Sequence, residues 1–213
     1  MSGMGVWVVG AVPDRGVGEL LRVGVQGSPP VPSYGRVPGE LAWWRSREPG
    51  SLFRASASSP GSWVAGENAF RLSVFFDSCH YDSAAVGELG DALMDQFPPE
   101  GEEGHFAAVA RKASPFSALA HALGPDVTLR LPGWFGDFLL RAEEVRARLP
   151  EAEEALALTG ARRREVVERI QQWMSALGDD PDHDAEDLLD GPLRVLRHAA
   201  RTGQGAAGLV RWY

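Results

Sequence analysis

The 213-residue chain is 44% apolar and 23% charged, proportions that exclude a chain disordered throughout. Its net charge of −8 argues against a phosphate-backbone footprint over the whole surface, and no apolar run approaches the length of a bilayer span. The single cysteine, Cys79, excludes an internal disulfide and fits a reducing compartment.

No basic residue precedes the short apolar start at Met4, so the n-region of a signal peptide is missing. The expected address is therefore cytoplasmic, with no membrane and no nucleic-acid partner. Lys112 is the one lysine among 21 basic residues, so any cationic contact is expected to be a planar guanidinium one. The negative charge is uneven. Asp179, Asp180, Asp182, Asp184, Glu186, Asp187 and Asp190 follow one another with no basic residue between them, and the rest of the chain is close to neutral.

In chain order, β-branched and aromatic residues predict a buried strand over 4–12, ending at Pro13. Residues 19–26 read as a second strand or a short helix. Residues 27–39 carry four prolines and three glycines and read as an irregular loop. Short strands are expected over 51–58 and 62–66. Residues 69–76 read as the clearest strand, because Phe70, Leu72, Val74 and Phe76 alternate with Arg71, Ser73 and Phe75.

The period then changes. Val86, Leu89, Leu93, Met94 and Phe97 predict a helix, with Asp82 or Ser83 as its N-cap and Pro98–Pro99 as its stop. Residues 105–112 read as a short alanine-rich helix. Ser114–Pro115 opens another, with Phe116, Leu119 and Leu123 as its stripe and Gly124 after its end. Residues 126–131 read as a strand. Helices are expected over 134–149, 151–158, 161–177 and from about Pro192 to Thr202, and residues 209–213 as a last strand. A terminal strand stays ordered when it is tied into a sheet. The expected fold is thus α+β, with mixed α/β as the variant: an N-terminal β-rich sheet, a helical C-terminal half and a closing C-terminal strand. It is read as one domain over 1–213, with subregions 1–132 and 133–213.

Four segments could carry function. Asp77, Cys79, His80 and Asp82 lie between the expected strand and the next helix, where α/β proteins tend to place sites. A thiolate there would gain from a helix N-terminus, but a base would have to come from His105 or His121. The ordinary role of these residues is a cap at Asp82 and a small buried hydrophobe at Cys79. Asp180, Asp182 and Asp184 have the spacing of a calcium loop. Counted from Asp180, however, the glycine position holds Ala185 and the bidentate glutamate position holds Gly191, so no metal is expected. Arg162, Arg163 and Arg164 crowd a helix start, where cations oppose the helix dipole and need acidic neighbours or an acidic partner. Trp43 and Trp44 stand beside the proline-rich loop and could form an aromatic contact patch.

One cysteine and five histidines show no zinc spacing, the glycines near residue 16 do not form a dinucleotide fingerprint, and no cofactor is expected. The expected function is a non-catalytic binding protein for a protein partner: an immunity-type inhibitor, a regulator or an assembly subunit. Its binding residues would be Trp43, Trp44, Arg162, Arg163 and Arg164. The alternative is a small hydrolase or transferase centred on residues 77–82.

Overall fold

The computed structural model describes residues 3–18, 37–59, 61–79, 84–178 and 181–213. The expected strand or short helix over 19–26 and residues 27–36 of the proline-rich loop lie outside them. Residues 37–39 open a helix, Val37–Arg45 (α1), rather than continuing that loop.

The centre of the fold is the first strand, Met4–Val12 (β1). Its neighbours are His105–Arg111 (β4) on one side and Gly205–Trp212 (β6) on the other, and Phe138–Leu140 (β5) completes an antiparallel sheet of order β4-β1-β6-β5. Val8 faces Ala107 across one ladder and Leu209 across the other. The closing C-terminal strand is present and the fold is α+β. A separate hairpin pairs Phe53–Ala55 (β2) with Trp63–Ala65 (β3).

Helices cover both faces of the sheet, which is why β1 shows little polar alternation. Trp7, Val9 and Ala11 face the larger core, where Trp7 meets Phe106 and Phe116 edge-on at 5.4 and 5.1 Å. Over this face lie Pro115–Leu123 (α4), Ala142–Leu156 (α6) and Asp187–Thr202 (α8); Gly160–Leu177 (α7) packs behind α4 and on the β2–β3 hairpin. Gly191 lets α8 press on β4: a Cβ there would come within 2.1 Å of the Phe106 ring. On the opposite face Val12, Ala207 and Leu209 meet Val17 and Leu93 of Ala84–Met94 (α3).

Four expectations are corrected. Residues 69–76 are not a strand; they belong to the helix Glu67–Ser78 (α2). Its buried residues are Ala69, Leu72, Phe75 and Phe76, a helical stripe, while Phe70 and Val74 are exposed. Apolar residues on both stripes produced an apparent alternation. Residues 105–111 are a strand rather than a helix, burying Phe106, Ala108 and Ala110 alternately, because the place beside β1 overrides alanine's helical preference. Residues 126–131 are not a strand: Pro125–Thr128 (α5) is one helical turn, with Pro125 and Asp126 as start signals after a left-handed Gly124.

Residues 134–141 leave the expected helix. A turn with positive φ at Gly133, Phe135 and Gly136 leads into β5, and helix α6 starts only at Ala142. There Glu144 accepts the Arg141 N–H at 2.8 Å and Asp14 accepts the Ala142 N–H at 2.6 Å. Helix α6 then continues through Pro150. Helix α8 begins at Asp187, ahead of Pro192, and the Asp187 carboxylate accepts the Asp184 N–H at 2.9 Å.

Candidate binding surfaces

The correction to residues 69–76 changes the chemistry of the segment that follows. Asp77 lies in the last turn of α2 and Cys79 caps its C-terminus, so the segment joins two helices instead of a strand and a helix. The Cys79 N–H donates to the Phe76 carbonyl at 3.0 Å. The side chain is 3% exposed, and its thiol is pushed up to about 12, first by burial and then by the negative charge of Asp77. A helix C-terminus carries partial negative charge and opposes thiolate formation. His80 and Asp82 lie outside the described residues. His121 is buried in α4, stacked on Trp173 at 5.1 Å with Phe53 edge-on at 5.2 Å. Burial, then the charge of Arg169, drives its protonation down to about 3, so it is a neutral imidazole enclosed by aromatic rings.

The two adjacent tryptophans part company. Trp44 is 3% exposed, with Phe76 edge-on at 5.0 Å, so it is a core residue and not a surface contact. Consecutive helical residues point about 100° apart, so Trp44 enters the core against the buried Phe76 while Trp43 meets α2 only at its outer residue Arg71. Trp43 is half-buried beneath the Arg71 guanidinium, 4.1 Å from the ring centroid, with Arg47 at 5.6 Å. Glu40 holds Arg71 through two hydrogen bonds of 3.1 and 3.0 Å. On the same helix as Arg71, Phe70 is 56% exposed and Val74 67% exposed, one turn apart.

The arginine run is mostly used internally. Arg163 grips both oxygens of Asp190 at 2.9 and 2.7 Å and Glu186 at 2.7 Å, and these bonds hold its charge more firmly than usual. It ties α7 to the acidic start of α8. Arg162 pairs with Glu165 at 2.7 Å. Arg164 is exposed, and its side chain makes no hydrogen bond or ion pair with a described residue.

The acidic segment is also engaged. The Asp182 Oδ1 accepts the Val109 N–H at 2.7 Å, and the Asp182 N–H donates to the Val109 carbonyl at 3.1 Å. Asp184 is exposed. Asp180 lies outside the described residues. Among the described residues no three His, Cys, Asp or Glu side chains gather as a metal site.

One feature was missed. A cleft of about 290 Å³ lies between α8 and the loop before β4, lined by Glu103, Asp190, Leu193, Arg194, Arg197 and Arg201. The spacing of Arg194, Arg197 and Arg201 could have revealed a one-sided cationic stripe once that segment was placed on a helix.

The chain matches no protein-family model, no curated protein and no solved structure. Among the described residues no helix is long and apolar enough to cross a membrane.

Proposed function

We propose that the chain is a non-catalytic binding protein that recognises a protein partner through the outer face of α2. The observation that carries this reading is the pair Phe70 and Val74, large apolar side chains exposed one turn apart on the helix that also sets Arg71 over Trp43. An apolar pair flanked by a guanidinium held on an aromatic ring is typical interface material, because its burial releases water without stranding a charge. An inhibitor of the immunity type, a regulator and an assembly subunit all use such a face.

The rival reading, a hydrolase or transferase at residues 77–82, is weakened by the burial of Cys79 and its place at a helix C-terminus. The pairing of β1 and β6, from opposite ends of the sequence, supports a single-domain reading. The single buried thiol suits a reducing, cytoplasmic setting.

The test is affinity capture from the native cell, followed by hydrogen exchange of the complex with the captured protein. Protection concentrated on Glu67–Ser78 is expected. Protection elsewhere, with α2 exchanging as in the free protein, would place the interface on another surface.

A further inference from the structure

We propose that the cleft between α8 and the loop before β4 binds a small ligand carrying two or more phosphoryl groups, gripped by Arg194, Arg197 and Arg201. This inference is independent of the α2 reading and concerns the other set of residues.

Geometry comes first. The three arginines follow an i, i+3, i+7 pattern on α8 and line one cleft of about 290 Å³, enough for a chain of two or three phosphates. Buried Leu193 also lines this cleft. Among the described residues no aromatic side chain lines it to stack on a base; recognition would be of the phosphoryl groups themselves.

Charge comes second. The cleft has two carboxylates, but Asp190 has both oxygens occupied by Arg163, which lies outside the lining. Glu103 accepts from Arg201 at 2.7 Å. Arg197 is steadied by Glu153, also outside the lining, through its Nε at 2.8 Å, so its two terminal nitrogens make no hydrogen bond to a described residue. Arg194 donates only to a neutral group, the His105 carbonyl, at 2.9 Å, and has no carboxylate partner among the described residues. The lining thus carries three guanidinium groups against two carboxylates, and Arg194 and Arg197 keep N–H donors that no described residue uses.

Preorganisation comes third. Arg194 and Arg197 are each already held by one bond, to the His105 carbonyl and to Glu153, which lowers the ordering cost of gripping an anion, whereas Glu103 competes for Arg201. Arg197 and Arg201 stay 49% and 59% exposed and accessible. A planar fork of donors matches phosphoryl oxygens in pairs.

The experiment is calorimetry with inorganic pyrophosphate and tripolyphosphate at physiological ionic strength. Wild-type protein is expected to bind one equivalent, tripolyphosphate more tightly. Arg194→Gln and Arg197→Gln should each weaken binding by about tenfold or more, while Arg164→Gln, on a different helix, should bind as wild type. Glu103→Gln releases Arg201 and should tighten binding severalfold, a gain that a misfolded variant cannot mimic. Absence of binding by wild type at millimolar ligand would overturn the proposal. So would equal binding by wild type, Arg194→Gln and Arg197→Gln, or weaker binding by Glu103→Gln.

Discussion

Asp182 pairs with Val109 twice, accepting its N–H at 2.7 Å through the carboxylate and donating a backbone N–H to its carbonyl at 3.1 Å. Val109 lies on β4, an edge of the four-stranded sheet. An open edge offers donors and acceptors to any passing strand, and proteins blunt such edges with charge or cover. The acidic segment does both here, and Arg194 covers the same strand at the His105 carbonyl. Asp182→Ala is expected to cost about 1–2 kcal/mol in urea unfolding and to raise light scattering at high concentration. Calcium should leave the wild-type melting temperature unchanged. A melting rise with micromolar calcium, lost in Asp182→Ala, would show that the carboxylate serves a metal instead.

His121 predicts a pH dependence. Both ring nitrogens are buried without a hydrogen-bond partner among the described residues, and the positive charge of Arg169 acts on the imidazole. Its folded-state value, about 3, lies below the ordinary 6.5, so the unfolded chain binds the extra proton between those limits. The stability that comes from keeping His121 neutral is complete above 6.5 and falls as the pH drops toward 3. The slope is up to about 1.4 kcal/mol per pH unit. Urea melts at pH 7, 6 and 5 should show a shallower loss for His121→Leu than for wild type. Identical slopes would mean that the ring finds a partner for its proton.

Cys79 should behave as core. Iodoacetamide near neutral pH is expected to label it only after denaturant is added, since both burial and the raised thiol value suppress the thiolate. Cys79→Ser places a hydroxyl where the environment is apolar and should destabilise by about 1–3 kcal/mol, whereas Cys79→Ala should cost less. Rapid labelling of the native protein would revive the enzymatic reading.

Arg163 and Arg164 are adjacent but should differ in thermal melts. Arg163→Ala breaks the tie to Asp190 and Glu186 and is expected to cost about 1 kcal/mol, less at high salt. Arg164→Ala should be neutral within about 0.5 kcal/mol. Equal effects would show that the Asp190 grip adds nothing to stability.

Legibility followed the degree to which local pattern and tertiary demand agreed. The β-branched run of β1, the Ser114–Pro115 start of α4 and the stripe of α7 read correctly, and the closing strand β6 is legible over its second half, its glycine-rich start at Gly205–Gly208 carrying no strand signal. Residues 69–76 misled because Phe70 and Val74 are apolar yet exposed, adding a false strand period to a helical stripe. The same two residues carry the proposed interface, so the misreading and the functional signal have one cause. Residues 105–111 misled in the opposite sense: small alanines suit a helix, and only the fit between β1 and the close approach of Gly191 makes them a strand. Among candidate site residues, Trp44 turned into the core while Trp43 stayed half-buried, and Arg163 found Asp190 and Glu186, because neither helix phase nor a long-range partner is visible in a local window.

The central claim is that α2 presents a protein-binding face and that Cys79 has no chemical role. It is tested most directly by quantitative affinity capture from the native cell with three baits: wild type, Phe70→Asp/Val74→Asp and Cys79→Ser. One protein captured by wild type and by Cys79→Ser, and depleted about tenfold or more with the double variant, is the expected result. Equal capture of that protein by wild type and the double variant, with its loss only in Cys79→Ser, would contradict it.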